Sequence, residues 1–139
     1  MADVRQVTES FAVAPQLDVE DIAELKAQGF RHIISNRPDD EAPGGSKAAD
    51  VKRAAEEAGL TYVHAPFVGQ PTPAAVDAAA KAAGKTIAYC RSGTRSVTAW
   101  ALAQAKSGAM SADDIVQAAN GAGYNLSALK DALRQLGAR

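Results

Sequence analysis

Cysteine occurs once in the 139 residues, at Cys90. An intrachain disulfide is therefore excluded, and with it the small secreted scaffolds that depend on such bonds. Histidine occurs twice, at His32 and His64. Two scattered histidines and one cysteine make no metal constellation, so neither a metal nor another cofactor is expected. Neither sign of charge dominates: 15 Lys and Arg against 16 Asp and Glu give a formal charge of −1. That removes the global field with which nucleic acid or an anionic membrane is recruited. No apolar run approaches bilayer-spanning length. The start, Met1-Ala2-Asp3-Val4-Arg5, has no basic segment followed by an apolar stretch. The expectation is a cytoplasmic protein with one catalytic domain over residues 1–139, without nucleic-acid or membrane partners, in which any anion site is local.

What is present alternates in period. Arg5–Thr8 and Phe11–Ala14 read as two short strands joined by a tight turn. Asp18 opens a helical pattern that Gly29 closes, and Phe30–Ser35 reads as a buried strand. Residues 37–46 read as a loop. Ser46 is expected to cap a helix through Ala58, followed by a strand over Leu60–Ala65. Thr72 with Pro73 opens the next helix, proline being favoured at the first helical position. Lys85–Tyr89 is a strand that runs into Cys90. A helix is expected from Ser96 to about Ala105, with Ser96 as its cap. Ser111 and Asp114 form a capping box, and a last helix covers about Ser127–Leu136. Strands alternating with helices imply an α/β sheet. In such sheets ligands bind beyond the carboxyl ends of the central strands, where Cys90 falls.

The segment Cys90-Arg91-Ser92-Gly93-Thr94-Arg95-Ser96 carries the chemistry. Between a strand and a helix, the backbone N–H groups of a loop have no regular partners. If the loop curls, with Gly93 supplying a positive φ, they converge on one point and form an anion cradle. Helix N-termini and cations also favour the thiolate of a cysteine, so Cys90 needs no histidine base to act as nucleophile. Arg95 is assigned the catalytic role of orienting the anion through its fork of donors. Arg91, Ser92, Gly93, Thr94 and Ser96 are assigned to binding. Arg37 follows a strand whose end should approach the cradle, so it joins the binding set; the competing reading pairs it with Asp39 or Asp40. His32 and His64 receive no role, and Trp100 is read as core.

Tyr89-Cys90-Arg91-Ser92-Gly93-Thr94-Arg95-Ser96 resembles the active-site loop of single-domain rhodaneses, which are sulfurtransferases. It also resembles the loop of cysteine phosphatases, in which five residues separate cysteine from arginine; here there are four. Ser10-Phe11, the stretch Val19–Leu25, and Gly29 through Asn36-Arg37-Pro38 resemble the phosphatase-like domain of beta-lactamase hydrolase-like proteins, over roughly Val4 to Leu102. That resemblance implies a dual-specificity-phosphatase-like α/β fold in three layers. Its mixed sheet has about five strands, with the Cys90 strand central, the two N-terminal strands on one side and the other two on the far side. It further implies either sulfur or phosphoryl transfer, and a link to a metallo-beta-lactamase-type persulfide-oxidising enzyme.

Chemistry favours sulfur. A phosphoryl group presents three equatorial oxygens and needs a wide ring of donors; removing one residue tightens the ring toward a single sulfur. A phosphate ester also needs a general acid for its leaving group, and the loop Pro66-Phe67-Val68-Gly69-Gln70-Pro71 has none. Sulfite leaving from thiosulfate needs none. The preferred expectation is a sulfurtransferase with thiosulfate or glutathione persulfide as donor and a thiol as acceptor. A cysteine-dependent phosphatase is the alternative, its acid then sought among Asp39, Asp40 and Glu41. A non-catalytic anion-binding or redox-sensing module is the second alternative.

Overall fold

In a computed structural model, which describes residues 2–39, 46–82 and 84–139, five strands form one sheet. They are β1 (Arg5–Gln6), β2 (Phe11–Ala14), β3 (His32–Ser35), β4 (Thr61–His64) and β5 (Thr86–Tyr89), in spatial order β1-β2-β5-β3-β4. Only the β1–β2 pair is antiparallel. The expected order, with the Cys90 strand central, holds. β1 is two residues shorter than expected because Val7 and Thr8 both turn their amides to the Phe11 carbonyl, at 2.9 and 3.0 Å.

Alternation along the strands divides the interior in two. Ala12, Ala14, Ile33, Ile87 and Tyr89 face α1 (Ile22–Ala27) and α2 (Ala48–Glu57). Phe11, Val13, Ile34 and Ala88 face the opposite layer, where α4 (Thr94–Ser107), α5 (Ala112–Gly121) and α6 (Lys130–Leu136) supply Trp100, Ile115 and Leu133. Trp100 stacks on Phe11 with centroids 6.2 Å apart, in the core as expected. α3 (Pro73–Lys81) packs beside α4 on this second face. Helices thus cover both faces of the sheet.

Helix starts show where local chemistry decides. Thr72 caps α3, its hydroxyl accepting from the Ala75 amide at 3.2 Å, with Pro73 in the first turn. Ser111 caps α5 by accepting from Asp114 N–H at 3.1 Å. Two expected caps are corrected. α2 starts after Lys47, not Ser46. The Ser46 amide donates to Asp18 at 2.8 Å instead, while Asp39 accepts from the first helical amide, Ala48, at 2.8 Å. α4 starts two residues before Ser96, with Gly93 as its N-cap.

Register places the site. Ala14 and Ser35 both lie opposite Tyr89, so β2, β5 and β3 end level. The chain leaves this common edge at Pro15, Asn36 and Cys90, and the loop after β5 is flanked on both sides.

Candidate active site

β5 is buried at all four positions, and Cys90 continues it by one residue, its amide reaching Ala14 O at 3.4 Å. The chain then curls. Gly93 takes φ +93°, a conformation that L side chains rarely adopt. A Cβ there would also overlap the hydroxyl of Tyr124. Gly93 O accepts from Val97 N–H at 2.9 Å, the first bond of α4. One residue therefore makes the turn and starts the helix. Its own N–H donates to Cys90 Sγ at 3.1 Å. The Ser92 hydroxyl donates to Thr94 Oγ1 at 3.1 Å and accepts from Thr94 N–H at 3.4 Å, which fixes the crest of the curl. Cys90 lies at its base with 0% exposure.

The structure brings most of the expected residues together around this loop. Arg95 is half-buried on the first turn of α4 and donates from Nη1 to Phe67 O at 3.1 Å, tying the helix to the Pro66–Pro71 loop. Arg91 is exposed on the loop. Ser96 is buried, and its hydroxyl donates to Asn36 Oδ1 at 2.8 Å. The serine expected as a helix cap is thus a strut between α4 and the end of β3. Arg37 is not an open loop arginine: it is 6% exposed, and its positive charge acts on the Tyr89 hydroxyl. Asp39 uses Oδ1 on the start of α2; Asp40 and Glu41 lie outside the described residues. His64 Nε2 pairs with the Arg37 carbonyl at 2.9 Å and His32 with Thr61, so both histidines hold structure. An open groove of about 570 Å³ between β3, β4 and α3, lined among others by Ile34, Val63 and Ala78, contains no residue of the loop. Among the described residues no cluster of ligand side chains fit for a metal ion occurs, and no helix is long and apolar enough to cross a membrane.

Two residues of the site escape sequence reasoning. Asn36 is fully inside: its amide nitrogen donates to Ala65 O at 2.9 Å, its Oδ1 accepts from Ser96, and its backbone N–H reaches Tyr89 O at 2.8 Å. Tyr124, beyond α5, donates its hydroxyl proton to Ser92 O at 2.8 Å and accepts from Arg5 Nη1 at 3.2 Å. The one signal was an aromatic placed directly after the Gly121-Ala122-Gly123 turn. Burial raises the Tyr124 phenol above its usual range. Burial likewise raises Tyr62 and Tyr89, whose hydroxyls meet at 2.9 Å in the α1–α2 layer.

A sheet of this order with a cysteine–arginine loop after its central strand can be compared with known proteins. The sequence profile of the beta-lactamase hydrolase-like protein, phosphatase-like domain, matches residues 3–107. The chain belongs to this family. A beta-lactamase hydrolase-like protein of Agrobacterium fabrum is 35% identical over 129 residues, covering 88% of this chain and 30% of that protein. The chain thus spans about a third of the length of that curated relative. A candidate phosphatase of Neisseria meningitidis superposes with a TM-score of 0.78 at 31% identity, covering 94% of this chain and 96% of the other. PTPMT1 in complex with PI(5)P superposes with a TM-score of 0.70 at 15% identity, covering 96% and 93%, a likeness of fold alone. The fold is that of the dual-specificity and tyrosine phosphatases, as the resemblance implied. These relatives speak for the phosphatase side of the expectation, and none of them is named a sulfurtransferase.

Proposed function

We propose that the protein is a sulfurtransferase built on a phosphatase fold, with Cys90 carrying one sulfur atom as a persulfide. One observation carries the reading. The loop closes in four residues between Cys90 and Arg95, and the sulfur lies wholly buried beneath the Gly93 amide. A ring so tight suits a single incoming sulfur better than a phosphorus with three equatorial oxygens.

Cys90 thiolate attacks the outer sulfur of thiosulfate. The new S–S bond forms as the bond to the sulfonate sulfur breaks, and sulfite leaves with the electron pair. An acceptor thiolate then attacks the terminal sulfur, and Cys90 thiolate is released. With glutathione persulfide as donor, the glutathione thiolate leaves instead. Neither leaving group needs a general acid, in keeping with the absence of acids from Pro66–Pro71. Preorganised donors stabilise each departing or forming anion. The Gly93 amide is one, and Arg95, anchored by its hydrogen bond to Phe67 O, orients the sulfonate. The thiol acceptor is that of a reducing cytoplasm, and the persulfide formed suits a metallo-beta-lactamase-type persulfide-oxidising partner.

The second reading is phosphatase, favoured by the named relatives and the fold. Cys90 would then attack phosphorus, and the ester oxygen would need a proton. Asp39, the described member of the acidic group, already serves α2 with one carboxylate oxygen.

Mass spectrometry after incubation with thiosulfate separates the two. The expected result is retention of one sulfur on Cys90, discharged by cyanide as thiocyanate and abolished in Cys90→Ser. Efficient aryl phosphate hydrolysis that needs Cys90, with no sulfur retained, establishes the phosphatase instead. Neither activity, with the thiol still reactive to peroxide, establishes the binding or sensing module.

A further inference from the structure

The chain from Arg5 through Tyr124 to the loop ends on the reacting sulfur through a single peptide group. Ser92 C=O and Gly93 N–H belong to one amide. Its oxygen accepts the Tyr124 hydroxyl proton at 2.8 Å, and its N–H donates to Cys90 Sγ at 3.1 Å. Hydrogen bonds in series polarise one another: a donor on the carbonyl makes the N–H of the same amide more positive. Tyr124 is in turn made a better donor by Arg5, whose Nη1 reaches its oxygen at 3.2 Å and whose guanidinium lies 5.3 Å from the ring centroid. Asp3 holds that guanidinium in place, accepting from Nη2 at 2.9 Å.

We propose that Tyr124 is a positioning residue for Cys90, transmitting the Arg5 charge through the Ser92–Gly93 amide to stabilise the anionic sulfur. The arrangement joins three distant segments: β1, the turn after α5, and the catalytic loop. The family match ends at residue 107, before Tyr124. Contact also fixes geometry. The Tyr124 hydroxyl fills the space a Gly93 side chain would take, so the amide cannot rotate its N–H off the sulfur without breaking the bond to Ser92 O. The proposal needs Cys90 as a nucleophile and holds whether the group transferred is sulfur or phosphoryl.

Alkylation of Cys90 by iodoacetamide tests it without any sulfur or phosphate substrate. Tyr124→Phe keeps the ring and removes only the hydroxyl. Losing one hydrogen bond of ordinary net strength should slow alkylation near neutral pH by roughly three- to tenfold. The alkylation–pH profile should move to higher pH. The other charged or titratable groups on the surrounding segments, Asp3, Arg37, Asp39, His64, Tyr89, Arg91 and Arg95, are all retained in the variant. Arg5→Leu, with the hydroxyl left in place, should give a smaller effect of the same sign, and it should add nothing in the Tyr124→Phe background. An unchanged rate and pH profile in Tyr124→Phe overturns the proposal, as does full additivity of the two changes. If Tyr124→Phe does not fold, Arg5→Leu alone decides: a profile identical to wild type overturns the proposal, and a displaced one supports it. Loss of sulfur retention in wild type with alkylation still Tyr124-dependent removes the sulfurtransferase reading alone.

Discussion

At Gly93 three demands meet in one residue: a φ of +93°, the N-cap of α4 and an amide aimed at Cys90 Sγ. Gly93→Ala places a Cβ against the Tyr124 hydroxyl in a conformation L residues avoid. The expected cost is about 1–3 kcal/mol of stability, read by denaturant unfolding, together with loss of Cys90-dependent turnover. Stability equal to wild type would show that the loop re-forms another way. Arg95 makes a different demand. Its guanidinium donates to Phe67 O, and the planar fork is the geometry that holds an oxyanion with two donors. Arg95→Lys keeps the charge and loses the planar fork, so kcat/KM should fall at least about tenfold, one charge-assisted hydrogen bond being worth roughly 1.5–3 kcal/mol. The melting temperature should change little, and unaltered kinetics would reduce Arg95 to a strut between α4 and the Pro66–Pro71 loop. Both residues were legible in the sequence because cysteine, glycine and arginine at this spacing describe a local curl. Tyr124 was not, because its contact with Ser92 spans 32 residues and nothing in the local pattern of either segment requires it.

Elements were readable where their ends are chemically self-contained. Thr72-Pro73 before α3 and Ser111 three residues before Asp114 needed no distant partner, and both caps stand where expected. Ser46 and Ser96 misled for one physical reason: each serine's hydrogen bonds go to another element. Ser46 is engaged by Asp18 and the Val19 amide, and Ser96 by Asn36. The strand order followed from the family resemblance and not from periodicity, which cannot say which strands neighbour one another. The joint at Asn36 illustrates what sequence pattern leaves out. This side chain links residues 29 and 60 positions away, Ala65 and Ser96, and so couples β3, the segment after β4 and α4. Two substitutions separate a cap from a joint. Thr72→Ala should cost about 1 kcal/mol and leave Cys90 alkylation unchanged. Asn36→Ala strands the Ala65 carbonyl and the Ser96 hydroxyl inside the protein, so it should cost about 1–3 kcal/mol and impair turnover as well. If both changes acted on stability alone, the joint would have no part in holding α4 against the Cys90 loop.

The whole molecule folds its two core layers around one sheet, and all three of its tyrosines end in or against them. Tyr62 and Tyr89 lie in the α1–α2 layer, hydroxyl to hydroxyl, while Tyr124 belongs to the α4–α6 layer. Burial raises all three phenols above the ordinary value of 10.0. For Tyr89 the Ser35 and Tyr62 hydroxyls and the Arg37 charge oppose the rise without reversing it, and Arg5 does the same for Tyr124. The unfolded chain releases these protons near pH 10, whereas the folded chain retains them. Above pH 10 the unfolded state therefore binds fewer protons than the native state, and stability falls as pH rises. The stabilisation is fully present below pH 10 and is lost as the pH climbs toward the raised native values. Ultraviolet titration should show little tyrosinate near pH 10 while the protein stays folded, then an abrupt rise that coincides with loss of circular dichroism. In Tyr62→Phe one of the raised phenols is gone, so the slope of stability against pH above 10 should become shallower. Smooth ionisation of all three tyrosines near pH 10 in protein that keeps its fold would mean that water reaches the Tyr62–Tyr89 hydroxyl pair. The α1–α2 layer would then not be the closed interior in which both tyrosines are buried.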